Sequence, residues 1–146
     1  MIFTPDTIDI IKDNPDTRRK FLNMLISSLR PNYIHLMNNY KKVLIQRNNF
    51  LRQIKIDNKL NNILDIWDEQ LVELSYQIYE YRKKYIDKFS EKINNIHKKI
   101  TKCGNCIEEI KIQYYSDSYN KDEFLKKLKI NRDSDIKKGF TSFRDT

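Results

Sequence analysis

Between Asn32 and Cys103 the chain has neither proline nor glycine, and in 146 residues it holds only three prolines, two glycines, two cysteines and no alanine. Each scarcity excludes something. Pro5, Pro15 and Pro31 precede that stretch while Gly104 and Gly139 follow it, so the strongest chain-breakers stand at its edges and its interior is free to be long helix. Two distant glycines cannot build a phosphate-cradling loop: Gly104 runs into Asn105-Cys106 and Gly139 into Phe140-Thr141, without the Lys-Ser/Thr that such a loop needs. The Gly-x-Ser-x-Gly elbow of serine hydrolases is excluded on the same count. Cys103 and Cys106 sit in one Cys-Gly-Asn-Cys turn, and only His35 and His97 could complete a zinc set, so the expectation is two reduced thiols and no metal. No run approaches the roughly 18 apolar residues of a membrane span, and the first residues lack a signal peptide's basic head and apolar core. The expected setting is cytoplasmic, with no membrane partner. Absence of alanine beside abundant Ile, Asn and Lys reads as a coding bias toward A and T.

What is present is a helical pattern with a positive surface. Hydrophobic residues make up 39% and aromatics 12%, enough for one domain to bury a core despite a mean hydropathy of -0.76. Phe21, Leu22, Leu25, Ile26 and Leu29 form one stripe after Asn14-Pro15-Asp16, which predicts a helix over about 16–29. A second helix starts after Pro31, its face marked by Met37, Tyr40, Leu44, Leu51 and Ile54, with Arg47 on the same stripe. An arginine there needs either an interhelical ion pair or an anionic ligand. The Asn- and Asp-rich stretch 56–62 reads as a chain reversal. Apolar residues then recur by threes and fours from Leu60 through Trp67, Leu71, Ile78, Tyr85, Phe89, Ile93, Ile96 and Ile100, a third and much longer helix suited to an antiparallel bundle. Its tyrosines (Tyr76, Tyr79, Tyr81, Tyr85) suit packing better than base stacking.

Alternation from Ile110 to Tyr115 predicts a strand, 116–120 a loop, and 121 to about 138 a last helix that Gly139 ends. Residues 2–4 and 140–143 are also β-prone. The fold class is therefore mainly α, an antiparallel helical bundle or hairpin arm with short β fragments at its ends and after the long helix. The layout expected is a residual segment over 1–15, a helical arm over 16–138 and a second residual segment over 139–146, as if an insertion had been taken from a larger sheet domain.

No catalytic constellation is visible, since adjacent pairs such as Asp68-Glu69 and Glu108-Glu109 diverge and suit solvated faces. The cations are better ordered. A net charge of +8 and a pI near 9.4 favour a polyanion partner through counterion release. Arg18 and Arg19 on the first helix, and Lys41, Lys42, Arg47, Arg52 and Lys55 along the second, are the candidate phosphate contacts. The competing reading is a protein-interaction scaffold whose lysines serve solubility.

Four segments taken together resemble the RecF family of bacterial recombination and repair ATPases. Phe3-Thr4-Pro5-Asp6, followed by Asn14-Pro15-Asp16-Thr17-Arg18-Arg19-Lys20-Phe21-Leu22-Asn23, is similar to that family's Phe-x-Pro and Pro-x-x-Arg-Arg-x-Phe-Leu-Asp segments. Gln46-Arg47-Asn48 resembles its Gln-Arg-Asn helix, and Leu64-Asp65-Ile66-Trp67-Asp68-Glu69-Gln70-Leu71 its Leu-Asp-x-Trp-x-x-Gln-Leu segment. The chain departs from the family's Gly-Pro-His-Arg-Asp-Asp at Phe143-Arg144-Asp145-Thr146, and Met1 falls where the family is already inside its head domain. The resemblance implies a helical arm inserted in an ATPase head related to those of chromosome-structuring and Rad50-type proteins. It implies a parent that binds ATP and Mg, dimerises, binds gapped DNA and, with RecO and RecR, loads a recombinase in DNA replication, recombination and the SOS response. It also implies an arm that binds no cofactor and catalyses nothing by itself.

Overall fold

A computed structural model describes residues 14–54, 63–101, 110 and 112–143. Four helices account for most of them: α1 (Pro15–Leu29), α2 (Pro31–Ile54), α3 (Leu64–Ile100) and α4 (Lys121–Lys138), with a 3-10 turn at Asp117–Tyr119 before α4. The expected mainly-α class holds. Expectations for residues 2–4, the turn 56–62, Leu60, and the thiols Cys103 and Cys106 lie outside the described residues.

The helix ends follow from local chemistry. Asn14 accepts a hydrogen bond from the Asp16 backbone N–H while Pro15 occupies the first helical position, where a missing N–H costs nothing. Arg30 is extended (φ -142, ψ 94) because the ring of Pro31 disfavours a helical residue before it, so α1 and α2 are two helices and not one. Asn120 caps α4 by accepting from both Asp122 and Glu123 N–H groups. Gly139 closes α4 in the left-handed region (φ 75), and a Cβ there would stand 3.2 Å from Arg52 Cγ.

Side-chain pairs give the direction of packing. Tyr33 meets Tyr81 and Phe50 meets Trp67, so α2 and α3 run antiparallel. Lys121 reaches Glu73 and Arg132 reaches Asp65, so α4 runs antiparallel to α3 as well, on another side of it. α1 lies across the Arg82 region of α3, where Asn23 accepts from the Arg82 guanidinium. Leu22, Ile26, Tyr33, Leu36, Tyr40, Leu44, Leu71, Val72, Ile78, Tyr85, Phe124 and Leu128 form the main core. Leu51, Ile54 and Leu64 close the far end with Ile136.

The strand expected from Ile110 onward is absent, as is one at 140–143: no described residue is in a strand. The alternation itself is real. Ile112 and Tyr114 are half-buried while Gln113 and Tyr115 face solvent, and Thr141 is buried between exposed Phe140 and Ser142. Each segment packs on helices, Tyr114 stacking on Tyr79 (5.9 Å between ring centres) and Phe143 lying tilted against Phe124 (5.3 Å), and residues 140 and 142 are bends. No strand among the described residues lies beside either segment to offer a ladder.

Candidate nucleic-acid interface

The seven cations singled out above do not share one fate. Lys41, Lys42 and Arg52 are exposed on α2, and among the described residues none of them is in an ion pair; Arg52 makes only a long contact to Asn49 (3.5 Å). With successive residues turned by about 100°, they fall on the half of α2 that faces away from the core. Arg18 is exposed on α1, and Arg19 is partly covered and bonded to Asp16. Lys55 lies outside the described residues. The structure therefore brings Lys41, Lys42 and Arg52 onto one surface and leaves Arg18 and Arg19 on a separate helix.

Arg47 departs from the expected phosphate contact, because its side chain is completely buried. Its Nε donates to Asp68 Oδ1 at 2.6 Å, and one terminal nitrogen donates to Asp135 Oδ2 at 3.1 Å and Thr141 Oγ1 at 2.7 Å. The other oxygen of Asp68 accepts from Arg132 at 2.6 Å, and Arg132 also reaches Asp65 at 2.6 Å. Asp68, expected on a solvated face, is fully buried for this reason. Two guanidiniums thus face two buried carboxylates and one half-exposed one, a near balance that lets charge persist in a dry interior. Hydrogen bonding to Arg132 holds the Asp65 carboxyl below the usual carboxylate range.

This network fastens the end of the described chain. Asn48 accepts from both the N–H and the hydroxyl of Thr141 (2.8 and 2.7 Å), and Asp135 accepts from the Ser142 N–H at 2.9 Å. Thr141 and Ser142 are held against α2 and α4 by Arg47, Asn48 and Asp135, the first two from the Gln-Arg-Asn segment on which the family resemblance partly rests. Only Arg47 carried a warning in the sequence, as a cation on an apolar stripe. Arg132, Asp135 and Thr141 gave none.

A second arginine, Arg82, is also fully buried, yet the groups described around it are neutral: it donates to Asn23 Oδ1 and Tyr114 Oη at 3.1 and 3.0 Å. Tyr33 donates to the same Asn23 oxygen at 2.6 Å. Burial pushes the Tyr33 hydroxyl above its ordinary pKa, and the Arg82 cation offsets part of that rise. No helix among the described residues is long and apolar enough to cross a membrane.

With this geometry in hand, the relatives are informative. RecF of Clostridium botulinum (strain ATCC 19397 / Type A), a DNA replication and repair protein, is 39% identical over an alignment of 146 positions that covers 97% of this chain and 39% of that protein. This chain belongs to the RecF family. RecF of Acetivibrio thermocellus is 35% identical over 148 residues, and RecF of Halothermothrix orenii 34% over 152. The recombination mediator protein RecF-ATPrS of the RecFOR pathway has a like structure, with a TM-score of 0.81 and 28% identity over 96% of this chain and 39% of its own. The RecF-ATP structure gives 0.76 and 27%. No protein-family model matches the chain. The chain spans about two fifths of the length of these RecF relatives.

Proposed function

We propose that this chain is the helical arm of a RecF-type repair and recombination protein, and that it adds contacts to the DNA backbone while catalysing nothing itself. The observation that carries this is that Lys41, Lys42 and Arg52 lie on the solvent side of α2 and are in no ion pair among the described residues. By contrast, the cations Arg132, Lys121 and Lys127 near α4 are engaged by carboxylates. Unengaged cations release counterions on meeting phosphate, and they need no base-reading element to do so. In the whole protein, ATP and Mg binding, dimerisation, selection of gapped DNA and cooperation with RecO and RecR fall to other segments on this reading. Gly139 does not fit a phosphate loop, since its backbone ends α4 and Arg52 lies over it.

The test is a titration of labelled duplex DNA against the chain at several salt concentrations. If about four of Arg18, Arg19, Lys41, Lys42 and Arg52 meet phosphates, log K falls against log salt with a slope near -3.6. Reversing Lys41, Lys42 and Arg52 to glutamate is expected to flatten that slope. Absence of binding at low salt would defeat the proposal and favour the interaction-scaffold reading.

A further inference from the structure

α2 and α3 are unequal partners, with 24 and 37 residues. At about 1.5 Å per residue, α3 is roughly 20 Å longer. Their packing aligns the excess at one end: Leu64 of α3 lies with Ile54 at the close of α2, while Arg30, just before α2 begins, donates to Tyr85 Oη at 3.1 Å. Past Phe89 no other described helix runs beside α3.

The apolar face continues regardless. Leu71, Ile78, Tyr85 and Phe89 turn toward the bundle, and the same helical face proceeds through Ile93, Ile96 and Ile100, which are 36%, 57% and 73% exposed. Among the described residues, the chain's return after α3 lies elsewhere. Ile112 and Gln113 line a shallow cleft with Asp87, Glu91, Asn94 and Lys98, and the Ile110 N–H donates to Asn94 at 2.9 Å; with residues about 100° apart, that is the opposite side of α3.

Charge beside the stripe is one-sided. On the helical wheel Lys88, Lys92 and Lys99 lie along one edge of it, while the carboxylates Asp87 and Glu91 lie on the opposite side of the helix. An antiparallel pair with a second copy would set the lysine edge against itself, because such pairs match like edge with like. Bare DNA would satisfy the lysines and leave the isoleucines in water. An acidic amphipathic helix satisfies both.

We propose that the last turns of α3 dock an acidic amphipathic helix of a partner protein, laid along Ile93, Ile96 and Ile100 with its carboxylates toward Lys88, Lys92 and Lys99. This surface is separate from the cations on α2 and does not depend on the DNA reading. The probe is a pair of synthetic helical peptides with leucines at heptad core positions, one flanked by glutamate and the other by lysine. Each is titrated against the chain by fluorescence anisotropy. The glutamate peptide is expected to bind about tenfold tighter than its lysine counterpart, the sum of three exposed charge pairs. Ile96→Asp with Ile100→Asp should abolish binding, and Lys92→Glu with Lys99→Glu should reverse the preference. Equal binding of both peptides, or retention by the isoleucine variant, would overturn the proposal. So would a lower melting temperature of the isoleucine variant, which would place another part of this chain on the stripe, or a dimer in sedimentation that those substitutions dissolve.

Discussion

The two buried arginines of this bundle solve one problem in different ways. Arg47 lies near the end of α2 among carboxylates from α3 and α4, with Asp68 shared between it and Arg132. Arg82 lies toward the other end of α2, near its first turn, where amide and phenol oxygens from α1 and the 112–116 segment receive it. The first arrangement joins three helices and residues 140–143 through formal charges, so every member depends on the rest. The second uses dipoles, which remain tolerable in a dry site when the cation is gone. Burial alone therefore does not say how much an arginine matters; the charge state of what it leaves behind does.

The largest expected effect tests the charged end. Asp68→Ala removes the buried carboxylate that Arg47 and Arg132 share, leaving each with a single carboxylate, and the midpoint of urea unfolding should fall by an amount equivalent to about 3–5 kcal/mol. Arg82→Met should lose less, about 1–3 kcal/mol, because the acceptors described around it, Asn23 Oδ1 and Tyr114 Oη, are neutral and Asn23 Oδ1 keeps Tyr33 as a donor. If Arg82→Met proves as damaging as Asp68→Ala, the contrast between the two ends fails.

The smallest effect sharpens the neutral end by pH. Tyr33 holds its proton more tightly in the folded state than in the unfolded chain, so its contribution is complete below the ordinary tyrosine pKa of about 10 and is lost as pH rises through the folded value. Stability measured from pH 9 to 11 should decline more steeply for the native chain than for Tyr33→Phe. Parallel declines would show that Tyr33 does not titrate with unfolding.

Much of the helical frame was legible in the sequence. Pro15, Pro31, Asn120 and Gly139 act through their own backbone or their nearest neighbours, so the bounds of α1 and α4 and the start of α2 could be read locally. Partners distant in sequence could not. Arg47 announced that it needed a counter-charge, but nothing local marks Asp135, 88 residues away, as its source. Asp68 looked solvated because adjacency to Glu69 says nothing about which of the two turns inward. The period-2 pattern at 112–115 coincides with the half-buried Ile112 and Tyr114, though the strand read from it is not seen among the described residues. It did not tell that the covering surface is a helix, since alternation records a two-sided environment and not a hydrogen-bonded neighbour.

Pro31 has a reach beyond its own turn. Because its ring forbids a helical Arg30, α2 has a fixed first residue and cannot lengthen at the expense of α1. The point at which α3 emerges from its neighbour is thereby set by a covalent constraint. A single imino acid acts as a ruler, measuring how much of the longest helix the molecule keeps for itself and how much it leaves standing in water.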